Sequence, residues 1–173
     1  MPNPVTQEQI FAAINVTLLK MEPQGKAIVS LDTETLSDPN WSCNTFSPMI
    51  LEEICKATKI DPEKLNSKEY DKAMALPGKF DDKTLINISM MGEPSTLNHN
   101  FNIFILGDTT YLIQVFLGKS VKIVQRFLNE TFLTYWHNLS DDSKWIEAYN
   151  NLFGVSPADK PSPSWLSAQY VTL

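Results

Sequence analysis

Apolar and polar positions along the chain follow two different periods, and the period-2 stretch over residues 98–118, NHNFNIFILGDTTYLIQVFLG, organises the rest. Residues 100–106 and 109–116 are runs rich in β-branched and aromatic side chains. Gly107-Asp108 between them suits a two-residue turn with Gly first, the type II′ pattern. Pairing about that turn sets His99 opposite Phe116, Phe101 opposite Gln114 and Ile103 opposite Leu112. Alternation then puts His99, Phe101, Ile103 and Ile105 on one face, together with Thr110, Leu112, Gln114 and Phe116. His99 and Gln114 become diagonal neighbours, within about 7–8 Å at the backbone. A four-residue turn keeps this parity; a three-residue turn would send Gln114 to the opposite face.

Helical periodicity dominates elsewhere. Thr6-x-x-Gln9 is a capping-box pattern before Ile10, Phe11, Ile14, Leu18 and Met21, which predicts a helix over 7–21 that ends at Pro23–Gly25. Residues 26–32, KAIVSLD, suit a short strand, and 33–42 read as a loop. Ser47-Pro48 is a helix-start signal, Ser as N-cap and Pro at the first helical position. Glu52 and Glu53 then lie early in that helix, and Ile50, Leu51, Ile54 and Cys55 form its buried stripe. Cys43 falls just upstream, in a loop or short turn. Asp61 and Ser67 read as caps of short helices over 62–66 and 68–75. Residues 82–91 suit either a helix or a strand, and Asp82 as a cap favours the helix.

After the hairpin, Val124, Phe127, Leu128 and Phe132 predict one long helix over 120–136. A second covers 140–153, with Trp145, Ile146, Tyr149 and Leu152 on one face and Gly154 closing it. From residue 155 the prolines of PADKPSP predict an extended tail, ending in SAQYVTL as an edge strand. There is no internal repeat.

The chain has 173 residues, the size of one domain, so 1–173 reads as a single α+β unit. A hydrophobic fraction of 43% argues against disorder. With 14 basic and 20 acidic residues the net charge is −6, which suits a basic protein partner and is poor for holding a phosphate backbone. Nucleic acid is not an expected partner. No run of 18 apolar residues exists, so no membrane-spanning segment is expected. The MPNPVTQEQ start lacks a basic and an apolar signal region, which points to a cytoplasmic protein or one exported by a route other than the general secretory pathway. Five Asn-x-Ser/Thr triplets, beginning at Asn15, Asn40, Asn87, Asn129 and Asn138, are then chance.

The 2 cysteines, Cys43 and Cys55, make no disulfide framework, and no Cys/His cluster has zinc spacing. P-loop, GxGxxG, GxSxG, HExxH and EF-hand patterns are absent, so no metal or cofactor is expected. The second histidine, His137, sits near a predicted helix end and reads as a cap or a solvated side chain.

One imidazole and one amide on an otherwise apolar face both need hydrogen-bond partners. They are either structural, a strand-entry His and a Gln satisfying a loop, or a general base with its orienting partner. The second reading needs a nucleophile, and Cys43 is the residue left to supply it. A thiol is activated by a helix N-terminus and a neighbouring imidazole. Gln114 offers an amide oxygen to fix the imidazole's tautomer. Asp108 does not: strand geometry puts it roughly 25–30 Å from His99.

Cys before a helix, then a distant His opening a strand, then a polar residue on the antiparallel next strand, is the papain-like order. The phrase HNFNIFILGDTTYLIQVF resembles the His hairpin of papain-like bacterial effectors and toxin domains, and Gln as orienter resembles the Cys-His-Gln triad of the cycle-inhibiting-factor family of glutamine deamidases. The resemblance implies a papain-like α+β fold, a small antiparallel sheet packed against the helix that follows the Cys. It implies a cysteine-dependent hydrolase acting on a protein, by deamidation or proteolysis, with Cys43, His99 and Gln114 as catalytic residues. Pro48 soon after the Cys and the missing carboxylate depart from that pattern. The alternative reading is a non-enzymatic acidic binding protein, an inhibitor or immunity protein.

Overall fold

The computed structural model describes residues 6, 8, 9, 12, 13, 15, 16, 34–36, 43–59, 61, 63, 66–70, 84–92, 99–115, 120–139, 141–155 and 163–172. In chain order these form β1 (Glu34–Leu36), α1 (Cys43–Thr58), β2 (Asn66–Tyr70), β3 (Thr84–Gly92), β4 (His99–Leu106), β5 (Thr109–Ile113), β6 (Ser120–Lys122), β7 (Val124–Leu128), α2 (Asn129–Asn138), α3 (Trp145–Phe153) and β8 (Pro163–Thr172). Residues 8, 9, 12, 13, 15 and 16 are also helical. The architecture is α+β. A six-stranded antiparallel sheet runs in the order β2-β8-β3-β4-β5-β7, and β1 pairs with β6 in a separate ribbon.

The hairpin has the expected register: Ile103 pairs with Leu112 and Phe104 with Tyr111. Gly107 takes φ 63, and Asp108 is not among the positive-φ residues, as a type II′ turn requires. Asn129 clamps the turn, its side-chain nitrogen donating to the Gly107 carbonyl at 3.0 Å and its backbone N–H to the Asp108 carbonyl at 2.9 Å. The N-terminal capping box is also present. The Gln9 amide donates to Thr6 Oγ1 at 3.2 Å and the Thr6 amide to Gln9 Oε1 at 2.9 Å. Gly154 closes α3 at φ 72, its N–H donating to the Asn150 carbonyl at 2.8 Å.

β4 is buried on both faces. One face carries Phe101, Ile103, Ile105 and Leu112, with Ile86 and Ile88 of β3, and packs against Phe132 and Trp136 of α2 and Tyr149, Leu152 and Phe153 of α3. The other carries Asn100, Asn102 and Asn87 and is tied to α1: Asn102 Nδ2 donates to the Ser47 carbonyl at 2.9 Å. The sheet meets α1 through this asparagine face, and the apolar Phe101 face goes to α2 and α3. Ile50, Leu51, Ile54 and Cys55 of α1 are buried, as their spacing predicts.

Several elements differ from the sequence expectation. α1 begins at Cys43, four residues before Ser47, and Pro48 lies inside it. Ser47 spends its hydroxyl on the sheet rather than on a cap, donating to the Asn100 carbonyl at 2.7 Å. Residues 84–92 are a strand, not a helix, because β4 and β8 flank it and take up its backbone hydrogen bonds. Residues 66–70 are strand β2, paired with β8, where a helix cap and short helices are expected. Part of the loop expected over 33–42 is β1. The long helix expected over 120–136 is two strands followed by α2, and Leu128 is 61% exposed rather than on a buried stripe. Helix α3 starts at Trp145, and Ile146 is 54% exposed, while Ala148 and Phe153 join Tyr149 and Leu152 in the core. The C-terminal segment expected at an edge is β8, between β2 and β3. The strand expected over 26–32 and most of the tail before β8 lie outside the described residues, as does Phe116.

Candidate active site

β4 begins at His99, and the β4–β5 pairing ends at Asn102–Ile113, so His99 and Gln114 sit just past the paired part of the hairpin. Gln114 is anchored at three points. Its backbone N–H donates to the Ile123 carbonyl at 2.9 Å. Its side-chain Nε2 donates to the Phe153 carbonyl at 2.9 Å. Its Oε1 lies 2.9 Å from His99 Nε2. Because Phe153 offers only an acceptor, the amide cannot reverse, and its oxygen must face the imidazole.

His99 is 2% exposed, stacked on Phe101 at 5.3 Å and met edge-on by Phe153 at 5.2 Å. Burial in this aromatic nest pushes its pKa down to about 4, only partly opposed by the Gln114 hydrogen bond. The ring is therefore neutral at pH 7. Facing an amide oxygen, a neutral imidazole must carry its proton on Nε2, which leaves the lone pair on Nδ1.

Cys43 is half-buried and is the first residue of α1. This corrects the loop position expected from Ser47-Pro48 and puts the sulfur at the positive end of the helix dipole. Cys43 lies one helical turn before Ser47, whose hydroxyl holds the carbonyl of the residue next to His99. The Cys43 sulfur also acts electrostatically on Tyr149, whose pKa is pushed up to about 12, chiefly by burial. The Tyr149 ring packs on Phe153 at 4.8 Å, and Phe153 packs on His99. The second cysteine is different: Cys55 is fully buried in the α1 stripe, and desolvation raises its pKa.

His99 and Gln114 are thus in direct contact, while Cys43 stands at the head of α1, one turn before Ser47. Asp108 is at the far end of the hairpin, where its carboxylate accepts from Thr109 Oγ1 at 3.1 Å. His137 is exposed in the last turn of α2. Sequence reasoning missed Phe153, Tyr149 and the asparagines 87, 100 and 102. For the asparagines a signal existed: polar residues at 100 and 102 alternate with apolar ones inside a run buried on both faces. Among the described residues, no group of three or more His, Cys, Asp or Glu is placed to hold a metal. Nor is any described helix long and apolar enough to cross a membrane.

No protein-family model matches the chain, and no curated protein matches it. Among solved structures it is similar to the Pseudomonas avirulence protein AvrPphB, with a TM-score of 0.43 and 12% identity over 96% of this chain and 93% of that one.

Proposed function

We propose that this protein is a cysteine-dependent acyl-transfer hydrolase acting on a protein substrate, with Cys43 as nucleophile, His99 as general base and Gln114 as the residue that orients it. The observation that carries this reading is the Phe153–Gln114–His99 relay, which holds a neutral imidazole in one tautomer with Nδ1 as its basic atom. A structural Gln would satisfy its two ends in the same way; what the chain adds for a base is a fixed tautomer with the lone pair on a defined nitrogen.

The chemistry runs as follows. Cys43 Sγ attacks a carbonyl carbon while its proton passes to His99 Nδ1, and the C–S bond forms. Backbone N–H groups of the first turn of α1 stabilise the oxyanion. The transient imidazolium is steadied by Gln114 Oε1, less strongly than by a carboxylate. Collapse expels an amine from a peptide bond, or ammonia from a glutamine side chain, and the leaving group takes the proton from His99. Water, activated by His99, then cleaves the thioester and restores the thiol. Proteolysis and deamidation share these steps. The arrangement is papain-like in order, and the class of protein it suits is a bacterial effector or toxin that modifies a target protein.

A second reading, an acidic binding protein for a basic partner, is favoured by the burial of His99 and by the net charge of −6. Covalent capture separates the two. Peptide vinyl sulfones at pH 7 should form an adduct on Cys43 in wild type and fail to do so in His99→Ala, while iodoacetamide at high pH still reaches Cys43 in both. Equal capture in the two proteins would favour the binding module.

A further inference from the structure

Three asparagines on the α1 face of the sheet are buried where apolar side chains would pack at less cost. They form one network across β3 and β4. Asn87 Nδ2 donates to Asn100 Oδ1 and to Asn102 Oδ1, both at 3.0 Å. Asn100 Nδ2 donates back to Asn87 Oδ1 at 3.4 Å. Among the described residues, the network reaches α1 through Ser47. Ser47, itself fully buried, accepts from Asn102 Nδ2 on its carbonyl and donates its hydroxyl to the Asn100 carbonyl.

The next residue, Pro48, lacks an N–H, so the helix loses the bond that would run back to the carbonyl of residue 44. The first turn, with Cys43 at its head, is tied less firmly to the rest of α1 than an ordinary turn. An attachment to the sheet supplies what the helix ladder omits, and Ser47 makes such an attachment. The Asn100 carbonyl it holds belongs to the residue that follows His99 in β4.

We propose that Ser47 is a positioning residue: through the Asn100 carbonyl and the Asn102 amide it fixes the turn bearing Cys43 against the strand bearing His99. This inference rests on the acyl-transfer reading and adds to it the device that sets the distance between nucleophile and base.

The test compares Cys43 alkylation by iodoacetamide between pH 5 and 8, resolved by peptide mass spectrometry, in wild type, Ser47→Ala, His99→Ala and the double variant. Thermal melting is followed in parallel. Ser47→Ala should slow Cys43 at pH 6 by about ten- to a hundred-fold, as misplacing reactive groups by around an ångström does. Its pH dependence should approach that of His99→Ala, and the double variant should be no slower than His99→Ala alone. Asn102→Leu, which keeps the branching at Cγ and removes the donor, should slow Cys43 in the same direction if Ser47→Ala does not fold. A wild-type rate and pH profile in folded Ser47→Ala and Asn102→Leu, whatever the melting temperature, would overturn the proposal. If His99→Ala itself leaves the profile unchanged, the acyl-transfer reading falls and Ser47's role falls with it.

Discussion

Gln114 Oε1 lies 2.9 Å from His99 Nε2, and the other end of the same amide is held by the Phe153 carbonyl at 2.9 Å. The amide therefore needs one acceptor end and one donor end. A carboxylate at 114 satisfies the first and opposes the second.

Gln114→Ala should cost about 2–5 kcal/mol, because the Phe153 carbonyl and the His99 N–H are left unmet and a cavity opens. Gln114→Glu should cost more, since its carboxylate is buried against the Phe153 carbonyl. The Glu variant should also raise the His99 pKa above about 4, by favouring the imidazolium. Denaturant melts and an NMR titration of His99 check both statements. A Glu variant as stable as wild type would mean that the Phe153 bond is dispensable.

The depressed His99 pKa makes stability depend on pH. The unfolded imidazole titrates near 6.5 and the folded one near 4, so between those values the unfolded chain binds more protons. The contribution of His99 is complete above about pH 6.5, is lost as pH falls toward 4, and changes no further below that. A shift of this size corresponds to about 3 kcal/mol. Unfolding free energies at pH 7 and pH 4.5 for wild type and His99→Gln measure it. The wild type should lose more than the variant; equal losses would mean that His99 is not buried as a neutral ring.

The two thiols should differ in reactivity. Iodoacetamide near pH 6.5 should label Cys43, half-buried at the head of α1, and leave the fully buried Cys55 untouched. Desolvation raises the Cys55 pKa and so reinforces the difference. Labelling of Cys55 in preference to Cys43 in the folded protein would contradict this assignment.

Gly154 follows Phe153 at φ 72, and an added Cβ would meet only Gln125 Nε2 at 3.7 Å, an ordinary contact. Gly154→Ala should therefore cost about 1–2 kcal/mol from backbone strain alone. Relief of that strain would displace the Phe153 carbonyl, so Cys43 alkylation should slow as well. A lowered melting temperature with unchanged Cys43 reactivity would show that the α3 terminus is not coupled to the site.

What the sequence determined by itself is local. The turn at Gly107-Asp108 is written in a residue that tolerates positive φ, and it sets the register that makes His99 and Gln114 diagonal neighbours. The Thr6–Gln9 cap, the Gly154 terminus and the buried α1 stripe with Cys55 depend on residues within about one turn of each other, and all are legible. Tertiary structure decided what depends on distant partners. Residues 84–92 carry a helix cap signal but become a strand because β4 and β8 take their hydrogen bonds, and the C-terminal segment is interior only because β2 covers it. Cys43 heads its helix despite the Ser47-Pro48 signal, because Ser47 finds better use for its hydroxyl on the Asn100 carbonyl than on its own backbone. The orientation of Gln114, and with it the nitrogen of His99 that carries the lone pair, was set by a carbonyl 39 residues away, which no local pattern encodes.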